Sequence, residues 1–478
     1  MDQYLIVDIG TSSLRVVVLD DGLNALDSRV VKRSAPTCFD AEAEWGKICE
    51  MTRSLTGAHR RLRAIAVSSL LGWVAVDSEG RAVTPCYSYM HQAAEPFRRF
   101  RETYADEAIY EICRRRITPE MPAFQLQHLR DQEPDLYAAI DRLLSLKDFI
   151  NLKLTGQAAM DHTTAGYTMM YDIAHKTWSD RSLEMLQLDD RRLPKLLHPW
   201  EALGTLRPEL AEDLGLEAAC PVTVGSVDGS TGIFGAGGCA SGTMVSVMGT
   251  TDTCFTVMDR IIPDASGSLA VNPHVLPGLW LAGGPMGMYG GTLEWLLNNV
   301  MNGSKSMKEM DLLAAEVAPG CGGVQMIPTL AGERAPFWLP EMRGTVIGLA
   351  HEHHAGHIFR AIMEANGYAL RKMAELLQAG GADIQQVLAT GGGSSSDLWL
   401  QIKADILNIP IFRANVKEAT VDGSCMLAML ATGTPVGALP ISSAGRVFEP
   451  NPDAVQAYNQ LYSRYLDVHG QSIQIYRG

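Results

Sequence analysis

The chain has 478 residues, 46% of them hydrophobic and 20% charged, which is enough apolar material for more than one hydrophobic core and excludes long disorder. Its 40 Lys and Arg stand against 54 Asp and Glu, a formal charge of −14 that argues against a nucleic-acid partner, since binding a phosphate backbone needs a concentrated positive surface. Nine scattered cysteines without a Cys-x-x-Cys pair indicate neither a disulfide framework nor a zinc ribbon, and no run approaches the about 18 apolar residues of a membrane span, so a cytoplasmic protein without a membrane partner is expected.

The N-terminal segment Tyr4 to Asp20 reads as strand, polar turn at Gly10-Thr11, strand: a β-hairpin with polar groups at its bend. Ala64 to Val67 and Val74 to Val76 read as buried strands. Met244 to Met258 repeats the first plan, a strand, Gly249-Thr250, and a β-branched strand, half the chain further on. That spacing suggests two domains of like topology, 1–240 and 241–478, with the glycine-dense stretch Gly225 to Gly242 as the passage between them; two ordinary hairpins coinciding would give the same spacing. Ile358, Ile362, Ala365, Ala369, Met373 and Leu376 mark an amphipathic helix stopped by Gly380-Gly381, and Gln386 to Ala389 a further strand. Strands alternating with helices in both halves give an α/β fold.

Four segments carry candidate chemistry. A phosphate cradle needs free backbone N–H groups, hydroxyls and no bulky Cβ, which the Gly-Thr bends supply. In Asp8-Ile9-Gly10-Thr11-Ser12 a carboxylate ends the strand, where it can hold Mg²⁺ through water while Thr11 and Ser12 face phosphates; a plain polar hairpin turn has the same residues. Asp228, after the strand Val222 to Val224 and beside Gly229, lies in a glycine-lined loop that a substrate can approach closely, and its carboxylate can accept the proton of an attacking hydroxyl. Thr390-Gly391-Gly392-Gly393-Ser394-Ser395-Ser396-Asp397 joins an apolar strand to the periodic helix Leu398 to Leu407, a bend against which a ring or phosphate can lie.

Neither a Walker A nor a dinucleotide signature is present: Ile48 follows Gly46-Lys47 where Ser or Thr is required, and Ala240 stands where the third glycine after Gly235 would fall. His351, His353, His354 and His357 suggest a metal, but Ala355 occupies the place of a zincin's second histidine, so an exposed helix entry is expected. Glu333-Arg334-Ala335-Pro336 reads either as a substrate clamp or as a structural ion pair before a rigid turn.

Taken in order, these pieces resemble the FGGY carbohydrate kinases, relatives of actin and hexokinase built from a duplicated ribonuclease-H-like domain, and the resemblance runs nearly end to end. Asp8 to Ser13 with Arg15 is similar to the family's first phosphate motif, Leu146-Lys147-Asp148-Phe149 with Leu154-Thr155-Gly156 to its mid-domain segment, and Gly249-Thr250-Thr251 to its second phosphate motif. Gly290 to Trp295, including Glu294, resembles a nucleotide-contacting helix start. Thr390 to Asp397, with Gly391, Gly392, Gly393 and Ser396, resembles the adenosine motif, and Glu418-Ala419-Thr420 precedes the last family helix.

The resemblance implies magnesium-dependent transfer of the ATP γ-phosphate to a sugar, polyol or sugar acid, in a cleft flanked by the two domains. Asp228 would be the base, Asp8 and Asp228 would flank Mg²⁺, and homodimerisation is the family's habit. Substrate choice falls on Leu70, Leu71, His91, Asp228 and Gly229, where departures occur: Leu71 replaces a hydrogen-bonding residue, His91 an acidic one, and an arginine is absent. A ketopentose such as xylulose heads the acceptors, with polyols, sugar acids and other ketoses open; a catalytically silent sugar sensor of the same fold is the alternative.

Overall fold

The computed structural model describes residues 2–33, 37–442 and 444–477. Two compact units interleave in sequence: the first comprises Met1–Gly235, Val271–Leu279 and Val416–Ile441, the second Ala236–Ala270, Trp280–Asn415 and Ser442–Gly478. A single cut at 240 therefore omits the return of residues 416–441 to the first unit.

The first unit opens on the expected hairpin, β1 (Gln3–Ile9) and β2 (Ser13–Asp20), followed by β3 (Ala25–Lys32) and α1 (Ala41–Thr56). β4 (Ala64–Ser69) returns parallel to β1, with Ile6 opposite Ala66 and Ile9 opposite Ser69. β1 and β4 are buried almost throughout, as strands covered on both faces must be, which explains their unbroken apolar runs. α2 (Leu146–Thr155) precedes β5 (Ala202–Thr205), β6 (Pro221–Thr223), the short β7 (Ser226–Val227) and α3 (Asp228–Gly235). The sheet runs β5-β6-β4-β1-β2-β3, with β7 also paired to β4. The predicted strand at 74–76 is found as Gly72–Val76, in a separate four-stranded sheet.

The second unit repeats the plan. β8 (Thr243–Met248) and β9 (Asp252–Met258) form the second expected hairpin, Met244 opposite Thr256, and β10 (Trp280–Pro285) extends it. α4 (Tyr289–Trp295) and the long α5 (Ala355–Ala379) follow, the latter capped by His354, whose ring nitrogen accepts from the Gly356 N–H. The histidine run is thus the helix entry that the sequence suggests. The glycine stop is found too, with Gly381 rather than Gly380 at positive φ. β11 (Gln386–Thr390) lies parallel to β8; α6 (Asp397–Leu407) and β12 (Ile411–Ala414) come next. The chain then returns to the first unit as α7 (Ala419–Ala431) before β13 (Ala444–Phe448) and α8 (Pro452–Arg477) complete the second. The order β10-β9-β8-β11-β12-β13 has the same strand directions as β3-β2-β1-β4-β6-β5. This is the duplicated ribonuclease-H-like, actin/hexokinase-like fold.

The stretch Gly225 to Gly242 contains the boundary between units, but much of it is helix rather than linker. Within it Gly235, with Gly423 of α7, serves close packing of α3 against α7: a Cβ on Gly235 would stand 1.8 Å from the Ala419 carbonyl oxygen, and one on Gly423 would stand 2.1 Å from that of Thr231. Nothing lies within 4 Å of a Cβ added to Gly46 in α1. Gly423→Ala is expected to destabilise the first unit by about 2 kcal/mol or more through overpacking, whereas Gly46→Ala stabilises it by about 0.5–1 kcal/mol through helix propensity. Urea unfolding followed by circular dichroism checks both signs.

Candidate active site

β1, β4 and β7 run parallel, so their C-terminal ends lie side by side, the edge at which open α/β sheets present ligand-binding groups. Asp8 is the penultimate residue of β1 and Asp228 follows directly on β7. Asp8 is buried, with the Arg15 guanidinium 3.1 Å from its carboxylate, a pairing set by hairpin register because Arg15 lies opposite Asp8. The other Arg15 nitrogen is 3.6 Å from Glu418. Arg15, expected at the phosphates, is thus occupied in orienting two carboxylates.

The bend closes through the Gly10 N–H donating to the Ser13 carbonyl, 2.9 Å, and Arg33 donates to the Gly10 carbonyl, 2.7 Å. Thr11 lies 3.4 Å from the Tyr89 hydroxyl, while Ser12 is exposed. Asp228 begins α3, its carboxylate accepting from the Gly229 N–H at 2.7 Å and its carbonyl from the Thr420 hydroxyl at 3.4 Å.

Burial pushes the Asp8 carboxyl up to about 6; Arg15 counteracts this and Glu418 adds to it. Asp228 keeps part of its side chain accessible, yet protein crowds it enough that desolvation leads, and with the negative charge of Asp8 it rises to about 7. Asp422, on the first turns of α7, is raised to about 6 by burial and by Glu418. Asp8, Asp228 and Glu418 thus lie at one end of this sheet, with Asp422 beside Glu418.

Of the expected substrate residues, Leu70 is buried, its N–H donating to the Ile9 carbonyl at 2.8 Å, and the Leu71 carbonyl accepts from the Tyr89 N–H at 2.9 Å. Both lie directly after β4, beside Asp8 and Asp228. His91 packs on Tyr87, ring centroids 4.5 Å apart, and burial followed by the nearby His128 lowers its pKa. A cavity of about 910 Å³ in this unit lies elsewhere, at the opposite ends of β1 and β4 around Gln3, Arg63, Cys220 and Thr432, and none of the predicted site residues lines it.

In the second unit the three glycine segments meet. Gly290 and Gly291 open α4 against the hairpin bend: a Cβ on Gly290 would be 2.2 Å from the Gly249 carbonyl oxygen, and the Gly291 N–H donates to the Thr250 carbonyl at 3.0 Å. Gly391, at φ 86°, lies against the Met248 carbonyl, and Gly393 against Met248 and the Trp399 ring. Gly392 has open space where its side chain would be. Ser396 is the N-cap of α6, accepting from the Trp399 N–H at 3.1 Å, and Glu294 is exposed on α4.

Two buried networks have no counterpart among the expected site residues, although Lys147 and Asp148 lie in the segment similar to the family's mid-domain motif. Lys147 is enclosed with Asp148 and Asp161, and Lys403 lies 3.0 Å from both Asp252 and the Ser246 hydroxyl, with Asn366 donating to the same Asp252 carboxylate at 2.7 Å. A lysine on the apolar face of α6, among Leu400, Ile402 and Ile406, was the available signal for the second; Asp161 preceding the short turn His162–Ala165 is an N-cap signal for the first. Glu333 pairs with His469 at 2.6 Å rather than with its neighbour Arg334, which is exposed. The Glu333 carboxyl is therefore held by α8.

Residues 3–235 match the N-terminal domain of the FGGY family of carbohydrate kinases and residues 244–432 its C-terminal domain. The chain is 24% identical over 458 residues to a gluconokinase of Bacillus subtilis strain 168, covering 91% of this chain and 88% of that protein. It is 26% identical over 438 residues to a xylulose kinase of Escherichia coli K12, 90% of each chain. A solved structure titled as a xyloylose kinase from Brucella ovis superimposes with a TM-score of 0.91 at 27% identity, over 98% of this chain and 99% of that one. No helix among the described residues is long and apolar enough to cross a membrane.

The raised Asp228 carboxyl has a stability consequence. A carboxyl whose folded pKa lies above its unfolded value favours the folded state fully only below the unfolded pKa, and that contribution is lost as pH rises through about 7. Asp228→Asn is therefore expected to raise Tm at pH 8 by on the order of a few degrees and to leave it nearly unchanged at pH 4. Scanning fluorimetry at both pH values checks this; a variant that is equally or less stable at pH 8 contradicts it.

Proposed function

The chain belongs to the FGGY family of carbohydrate kinases, phosphotransferases with an alcohol group as acceptor, and on that premise we propose that it phosphorylates a sugar hydroxyl from ATP with Asp228 as general base. The observation that carries this reading is the placement of Asp8 and Asp228 at the C-terminal ends of β1 and β7, the two strands that flank β4, where burial and then the charge of Asp8 raise Asp228 to about 7. A carboxylate near neutrality is matched to taking a proton as a hydroxyl becomes a nucleophile. The acceptor oxygen bonds to the γ-phosphorus, the bond from that phosphorus to the ADP oxygen breaks, and the hydroxyl proton passes to Asp228. Gly229, with open space where its side chain would be, leaves room for the acceptor beside that carboxylate.

Mg²⁺ supplies charge neutralisation at the phosphates when bound. Asp8 and Asp228 are the carboxylates that would hold it, directly or through water. Their mutual repulsion is complementary to a divalent cation, and among the described residues no cluster of three or more His, Cys, Asp or Glu is arranged as a closed metal site. This suits magnesium, which takes one or two carboxylates and completes its shell with phosphate and water. The nucleotide contacts proposed are Gly10, Thr11 and Ser12 in the first unit, and Gly249, Thr250, Gly290, Glu294, Gly391, Gly392 and Gly393 in the second; Arg15 and Ser396 support them, Arg15 by orienting Asp8 and Ser396 by capping α6.

Leu70, Leu71 and His91 are proposed to shape the acceptor site. A ketopentose such as xylulose is the first acceptor to test, because a xylulose kinase is among the relatives matched over nine-tenths of both chains. A sugar acid is second, for the same reason in the gluconokinase.

An ADP-release assay with Mg-ATP over xylulose, gluconate, glycerol and further ketoses tests the reading. Acceptor-stimulated turnover is expected, reduced by about 10²–10⁴-fold in Asp228→Ala. Because the base must be ionised, kcat/KM should rise with pH through an acidic limb near 7. Turnover that survives Asp228→Ala removes the base assignment, and ATP binding without turnover on any acceptor favours the silent sensor.

A further inference from the structure

The Lys147 network lies beneath the segment that delivers Asp228, and its geometry exceeds what packing requires. Lys147 heads α2 with its side chain 1% exposed; it contacts Asp148, and its ammonium is 2.9 Å from Asp161 and 3.4 Å from the Val224 carbonyl. Asp161, fully buried, uses its second oxygen to accept from the Ser226 hydroxyl at 2.8 Å and the Thr164 N–H at 3.0 Å. Asn151, one turn along α2, donates to the same Val224 carbonyl at 2.8 Å. Between the two held residues stands Gly225, at φ 70°, where a Cβ would be 2.1 Å from the Val67 carbonyl oxygen. Val224 and Ser226 are therefore each held from α2 or Asp161, and Gly225 between them is packed directly on the β4 backbone. Two residues after Ser226 comes Asp228.

Burial alone would push the Lys147 ammonium down, but two carboxylates hold it raised and charged. A buried cation between two carboxylates is a poor means of gaining stability, since apolar side chains of equal volume do as well or better. What it provides is direction, because a charge-assisted bond fixes atoms where an apolar contact only fills space.

Resting on the assignment of Asp228 as base, we propose that Ser226 and Lys147, acting through Asp161, are positioning residues that fix where the Asp228 carboxylate stands relative to Asp8. Neither touches the reacting atoms. Removing the Ser226 hydroxyl frees one end of the tether while keeping the buried ion triad intact, so Ser226→Ala is the informative variant; Lys147→Met leaves two buried carboxylates uncompensated and reports chiefly on folding.

The test uses the full chain with the acceptor of highest turnover among xylulose, gluconate and glycerol. Ser226→Ala is expected to lower kcat by about 10- to 100-fold with KM for Mg-ATP unchanged, to move the acidic limb of kcat/KM below its wild-type position as Asp228 relaxes away from Asp8, and to recover in Ser226→Thr. Wild-type kcat and an unmoved limb in folded Ser226→Ala overturn the proposal. Retained turnover in Asp228→Ala instead removes the base assignment, whatever Ser226 does, so the two failures are distinct. A thermal double-mutant cycle needs no acceptor: the gain in Tm of Asp228→Asn at pH 8 should shrink in the Ser226→Ala background. Additive shifts count against the tether.

Discussion

Two carboxylates of like charge, Asp8 and Asp228, are held near each other at one end of a parallel sheet, and the arrangement of the first unit follows from sustaining that repulsion. Water would separate or hydrate such groups, so the surrounding structure must hold them in place. It does so with the hairpin partner Arg15, which neutralises Asp8 and reaches Glu418; with the close crossing of α3 on α7; and with the Asp161–Ser226 bond beneath β7. The raised Asp228 carboxyl records its burial first and the charge of Asp8 second, and the same shift suits it to take a proton at neutral pH.

Each unit solves a common construction problem in a similar way. A strand of the central sheet must end in an irregular, polar segment without that segment drifting, and a wholly buried lysine anchors it. In the first unit Lys147 and Asp161 secure the peptide before Asp228; in the second Lys403, on the helix that follows the Gly391–Gly393 bend, holds Asp252 just after Gly249-Thr250. Asp252 in turn takes two main-chain bonds, its N–H donating to Gly287 and its carbonyl accepting from Met286, at the approach to α4. Hairpin bend, α4 and α6 of the second unit are thereby tied to one ion pair.

The local elements were readable because their signals are short-range. Both hairpins, the helix from 355 to 379 with its glycine stop, and the glycine bend before α6 depend on periodicity and on residues that punctuate it. The glycines of 225–242 mark a passage between domains in the sequence, but glycine serves both chain freedom and close approach, and only the partner helix shows that Gly235 serves the second. Glu333 reads in the sequence either as a substrate clamp or as part of a structural ion pair, and its partner lies on α8, more than a hundred residues away. The return of residues 416–441 to the first unit has no local sign, since the apolar sequence of α7 does not specify which unit covers it.

By itself, then, the sequence determined the class of fold, the two Gly-Thr hairpins, the family and the position of the carboxylates at strand ends, because each depends on residue type and spacing along a few turns of chain. The tertiary structure alone decided the state of those carboxylates. Whether Asp228 titrates near 4 or near 7 depends on how much water reaches it and how close Asp8 stands, and whether a buried lysine is tolerated depends on oxygens contributed from segments far apart in the chain. Desolvation and Coulomb energies act through space over a few ångströms, and the sequence does not specify those separations until the chain has packed.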